Sequence, residues 1–163
     1  MATTRVMKTI SIHSQDGKDG VKIARGLGEA VSSTWKAGAP LIYSSGYVAI
    51  LGSSGAETTA IIGFAAKDAT GTTGAEVPYY EANDYNLFEG SLINSTTAYV
   101  SVVTNIGADY ALIQSTNDWY IDISDTTTNT KVEPVAFIDT IGDTNARVVF
   151  RVLGGKQANV LQT

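Results

Sequence analysis

Trp119-Tyr120-Ile121-Asp122-Ile123-Ser124 sets Trp119, Ile121 and Ile123 at alternate positions, with Tyr120, Asp122 and Ser124 between them. Successive side chains of an extended strand point to opposite faces, so this stretch predicts a strand with one buried face. Working outward, residues 146–153 repeat the pattern. Ala146, Val148, Phe150 and Val152 share one face, and Arg147, Val149, Arg151 and Leu153 share the other. That second face is partly apolar, which predicts a neighbouring sheet or subunit against Val149, Arg151 and Leu153. Further short apolar runs at 40–43, 47–51, 59–64, 77–82, 87–93, 97–103, 110–114 and 132–138 read as strands. Turn chemistry separates them: Ser45-Gly46, Ser54-Gly55, Thr70-Gly71, Asn83-Asp84, Asn117-Asp118 and Gly142-Asp143-Thr144-Asn145. No run has the length or period of a helix, although residues 105–112 could hold one helical turn. The expected fold is all-β: a single barrel or sandwich-like domain of residues 37–163, preceded by an extended N-terminal arm of residues 1–36.

Composition agrees with this reading. A chain of 163 residues with 44% hydrophobic content is long enough to bury one core, and 17% charged residues leaves little of the Glu, Lys and Arg that fill helices. With no cysteine, neither disulfides nor thiolate chemistry can contribute. The stretch 47–66 is the most apolar, but Ser53-Ser54-Gly55-Ala56-Glu57 breaks it, so two strands around a turn fit better than a membrane span. The start, Met1-Ala2-Thr3-Thr4-Arg5, does not read as a secretory signal, and synthesis in the cytoplasm is expected.

Charge divides the chain. Residues 1–36 hold six basic and three acidic residues, against five basic and 13 acidic in residues 37–163. The first segment has short apolar pairs, Ile10/Ile12 and Val21/Ile23, and no sustained period. It reads as an arm contacting acidic surface through Arg5, Lys8, Lys18, Lys22 and Arg25, with Ile10 and Ile12 adding to a sheet edge. The alternative is an ordinary first strand and loop of the main domain.

Motifs that would carry chemistry are wanting. His13 is the single histidine, which excludes a three-histidine metal site and a metalloprotease helix motif. Gly52-Ser53-Ser54-Gly55 is not a nucleophile elbow, and Leu153-Gly154-Gly155-Lys156-Gln157 lacks the spacing of a phosphate loop. The clusters Asp118, Asp122, Asp125 and Asp139, Asp143, Asn145 lack calcium-loop spacing and read as turns. An acidic body with no basic and aromatic stripe argues against nucleic acid. No enzyme, no cofactor and no metal is therefore expected. Among the aromatics, Tyr79 and Tyr80 are adjacent and must point to opposite faces of a strand, making one of them a subunit-interface candidate.

One resemblance runs through the body. Trp35-Lys36-Ala37-Gly38-Ala39-Pro40-Leu41, then Gly46-Tyr47-Val48, Ile61-Ile62-Gly63-Phe64-Ala65-Ala66 and Val77-Pro78-Tyr79-Tyr80-Glu81-Ala82 come in an order that the later motifs continue. Those are Phe88-Glu89-Gly90, Tyr110-x-Leu112, Trp119-x-x-Asp122 and Gly142-Asp143-x-Asn145-Ala146-Arg147-Val148. Over most of residues 35 to 153 the chain resembles the capsid decoration, or cement, proteins of tailed bacteriophages. The resemblance implies a barrel-like body, assembled as a homotrimer, that binds the major capsid protein lattice on the outer surface of the virion and stabilises it. The alternative from another class is a β-sandwich carbohydrate- or receptor-binding module, marked by exposed aromatics on a sheet face.

Overall fold

A computed structural model of the chain describes residues 1–14, 21–24, 27–52, 60–154 and 157, and its regular structure is all-β apart from one 3-10 turn. The strands are β1 (Ser11–Ser14), β2 (Lys22–Ile23), β3 (Pro40–Ser44), β4 (Tyr47–Ile50), β5 (Gly63–Ala65), β6 (Pro78–Glu81), β7 (Leu87–Asn94) and β8 (Thr97–Ala98). The 3-10 turn Val103–Asn105 follows, then β9 (Ala111–Ser115), β10 (Asp118–Asp122), β11 (Val132–Phe137) and β12 (Arg147–Val152). Turn residues set these boundaries. Ser45 and Gly46 both have positive φ, 50° and 83°, which matches the twist of the β3–β4 hairpin and accounts for a glycine there.

Two sheets form. One has the order β2-β6-β5-β3-β4; the other runs β11-β12-β7-β10-β9, with β1 and β8 also paired to β7. An isolated bridge between Tyr110 and Val132 ties the two ends of the larger sheet together, with the Tyr110 amide donating to the Val132 carbonyl at 2.9 Å. The larger sheet therefore curls back on itself, which removes part of the open edge that a flat sheet would present.

The sheets share one core. Phe64 of β5 meets Phe88 of β7 at a centroid distance of 4.5 Å and Phe150 of β12 at 5.9 Å, while Phe88 and Phe150 lie 5.8 Å apart. Around these rings Leu41, Ile61, Leu92, Trp119, Ile121, Val132 and Val148 are fully buried. The alternation in β12 appears as expected, with Val148, Phe150 and Val152 inside. In β10 the second face is covered as well: Tyr120 and Asp122 are buried with Trp119 and Ile121. Burial of Asp122 is tolerated because its carboxylate accepts the Ser95 and Ser124 amides and the Ser124 hydroxyl at 2.7–2.9 Å. The strand expected over 97–103 stops at Ala98, where the chain turns into Val103–Asn105 and the Asn105 side chain accepts the Val102 amide.

The largest departure concerns the expected arm. Residues 3–14 lie along the larger sheet: β1 pairs with β7 through Ser11↔Glu89 and Ile12↔Phe88, and the Ser91 amide donates to the Lys8 carbonyl. Ile10 is 1% exposed and belongs to the core. Its seat depends on two glycines. A Cβ at Gly38, whose φ is +88°, would fall on the Ile10 carbonyl oxygen, and one at Gly90 would come within 3.2 Å of the Ile10 side chain. Ala24 and Trp35 are also buried. The described part of residues 1–36 is thus tied to the main domain through Ile10, Ala24 and Trp35, which have sites in the shared core, while Val6, Met7, Val21, Ile23 and Val31 stay exposed.

Replacing Ile10 by Ala is expected to cost about 2–5 kcal/mol, since it empties a closed site. Urea unfolding of the two proteins measures this; a midpoint unchanged within error would mean that Ile10 lies outside the core.

Candidate interaction surface

Residues 3–5, 143–145 and 99–101 run side by side at one end of the molecule. Thr4 bridges Thr144 in parallel and Val100 bridges Thr144 in antiparallel fashion. The Arg5 amide donates to Thr144, Thr144 to Thr3, Ser101 to Asp143 and Asn145 to Tyr99, all at 2.8–3.0 Å. Alternation then sorts the side chains in an inverted sense. Ser101, Asp143 and Asn145 point inward and are buried, whereas Val100 is 53% and Val102 44% exposed. Val103, next to Val102 in the 3-10 turn, is 65% exposed, and Ile141, which precedes the Gly142 whose amide donates to the Ser101 carbonyl, is 50% exposed.

What holds this surface is the polar layer below it. The Asp143 carboxylate accepts the Thr3 amide at 2.8 Å and the Arg5 guanidinium at 2.6–2.7 Å. These partners, the Thr3 amide foremost, keep its pKa below the ordinary carboxylate value against the opposing effect of burial. Asn105 donates to the Tyr99 and Tyr110 hydroxyls at 3.1 and 3.0 Å while accepting the Val102 amide at 2.8 Å. The Ser101 hydroxyl donates to the Asp143 carbonyl and accepts the Gly142 amide. A satisfied buried network of this kind rigidifies the residues above it. Beside it, Asp139 accepts the Arg147 amide and two guanidinium N–H groups at 2.9–3.1 Å, which lowers its pKa. Arg147 approaches Glu89 at 4.0 Å, and Glu89 reaches His13 at 3.1 Å.

The residues singled out from sequence are scattered among other roles. Arg5 is engaged by Asp143, and Lys22 pairs with Glu81 at 2.8 Å. Lys8 is exposed, Ile10 is buried and Ile12 is half-buried opposite Phe88; Lys18 and Arg25 lie outside the described residues. Tyr79 is buried on β6, and burial, with Tyr43 and Glu81 nearby, pushes its pKa up to about 12. Tyr80 is half-buried against the core. Val149 is buried within the chain, Leu153 is half-buried, and Arg151 is exposed but paired with Glu133 at 2.7 Å. Of the five proposed subunit-interface residues, Arg151 alone is openly displayed.

Val100, Val102, Val103 and Ile141 were not legible as surface, since a valine-rich stretch reads as strand. The available signal was Ser101 and Asn105 spaced among them with Asp143 and Asn145 near the other end of the chain. Among the described residues, no group of three or more His, Asp or Glu is placed to hold a metal, and no helix is long and apolar enough to cross a membrane.

The Thr3 amide and Arg5 hold the folded pKa of Asp143 below the ordinary carboxylate value. Its clasp therefore contributes stability above that value and loses it as the pH falls through the lower folded value. Replacement by Asn should lower stability at neutral pH and flatten the decline on acidification. Urea midpoints taken from about pH 6 to about pH 2 check this, and parallel profiles for both proteins would refute it.

Comparison with protein-family models, with curated proteins and with solved structures finds no match for this chain, so the role of the surface rests on its own geometry and chemistry.

Proposed function

We propose that the protein is a structural virion protein that decorates and stabilises the icosahedral head of a tailed bacteriophage, binding the major capsid protein lattice as a homotrimer. The observation that carries this reading is the rigid surface of Val100, Val102, Val103 and Ile141 over its buried polar layer. Adjoining exposed apolar side chains cost solvation unless a partner covers them, and a preorganised patch binds without a large ordering cost. The order of motifs from Trp35 to Val148 supports the same class. Its residues are structural: Trp35, Leu41, Phe64, Phe88, Trp119 and Val148 are buried, and Asp122 and Asp143 hold neighbouring backbone. Many weak contacts repeated over a lattice would supply the strength that one small patch cannot. The protein would then reside on the outer face of the particle, after synthesis in the host cytoplasm.

A carbohydrate- or receptor-binding module draws on a different observation. Tyr85, 71% exposed, sits on a turn whose backbone is fixed by the Asn83 side chain, which accepts the Tyr85 and Asn86 amides at 3.0 and 2.8 Å. It is a displayed aromatic of the type that stacks on a sugar ring.

Adding the purified protein to heads that lack it separates the two. The Val100→Asp/Val103→Asp variant should keep its β circular dichroism spectrum yet bind heads at least about tenfold more weakly, the consequence of losing some 1.4 kcal/mol per site. Undiminished decoration by that variant would overturn the proposal. So would glycan binding abolished by Tyr85→Ala in a protein that never attaches to heads.

A further inference from the structure

We infer that the groove holding residues 3–14 is a strand-acceptor site, which a second copy of this chain fills with the same residues to give an exchanged oligomer. This does not depend on what the valine surface binds. The segment's contacts are long-range in sequence. Thr3 and Arg5 reach Asp143 across 140 and 138 positions, the Trp119 amide reaches the Thr9 hydroxyl across 110, Lys8 reaches Ser91 across 83, and His13 reaches Glu89 across 76. None of these bonds requires that segment and groove belong to one molecule. Formed between two copies they are chemically the same contacts, and only the cost of association and the path of the connecting chain differ.

The groove also states which segment it accepts. β7 offers a main-chain ladder to β1, which accepts many extended peptides. Three side-chain positions narrow the choice. Asp143, 1% exposed, takes a guanidinium at position 5; the Trp119 amide takes a hydroxyl at position 9; and the space left by Gly38 and Gly90 takes an isoleucine at position 10. An unrelated peptide would have to match all three at this spacing, whereas a second copy does so by identity. Charge favours the encounter, because residues 1–36 carry twice as many basic as acidic residues and the remainder is strongly acidic.

The absence of cysteine makes a clean test possible. Ser11 and Glu89 face each other across the β1–β7 ladder, within the separation a disulfide spans. Ser11→Cys in one chain and Glu89→Cys in another, refolded together and oxidised, should give a linked pair of twice the chain mass joined through positions 11 and 89. The share of this pair should rise with protein concentration during refolding. If no such pair forms, while a chain carrying both substitutions closes an internal bridge, the inference fails. The unsubstituted protein provides an independent reading. In an equal mixture of isotope-labelled and unlabelled chains refolded together, filtered nuclear Overhauser contacts from Ile10 of one chain to Phe150 of another support exchange. Their absence at every concentration overturns it.

Discussion

Phe64, Phe88 and Phe150 are the point on which this molecule turns. They come from β5, β7 and β12, so two sheets with separate hydrogen-bond ladders are joined by three rings at 4.5–5.9 Å. With no disulfide available, burial around these rings is the main force holding one sheet to the other. Phe88 also fixes β7, which pairs with β1, β12, β10 and β8. The position of β7 then decides where the N-terminal segment lies and where the 143–147 stretch is presented.

From that strand the structure builds outward to a surface. Asp143 is drawn in by the Thr3 amide and Arg5, and by strand alternation the side chains on either side of the buried layer are turned to solvent. A polar interior beneath an apolar exterior reverses the usual arrangement. It is stable here because each inward group named has a partner, and it leaves valines displayed on a support that has little freedom to move.

Much of the fold could be read from local pattern. The alternations at 119–124 and 146–153 and turn pairs such as Ser45-Gly46 and Asn117-Asp118 place strands within a few residues of where they lie. Two features escaped for one physical reason. Ile10 looked like part of a loose arm because the groups that enclose it, Gly38, Gly90 and Phe88, carry no sign of one another in sequence. Val100 and Val102 could be read only as part of a strand because the groups that turn them outward, Asp143 and Asn145, lie some 40 residues on, and are neighbours only after the chain has folded. Local periodicity shows which residues share a face; it does not show which face the distant chain will cover. The charge contrast between the first 36 residues and the rest was visible, and in the structure Arg5 and Lys22 spend it on internal carboxylates.

The central claim is that residues 3–14 are an integral strand of the folded body. Native-state hydrogen exchange tests it most directly. The Thr3, Arg5 and Lys8 amides donate to Asp143, Thr144 and Ser91, and Leu92 of β7 donates to Ala146. If the segment is integral, the Arg5 and Lys8 amides will be strongly protected and will open together with Leu92. Exchange of Thr3, Arg5 and Lys8 at the rates of an unstructured peptide, with Leu92 still protected, would contradict it.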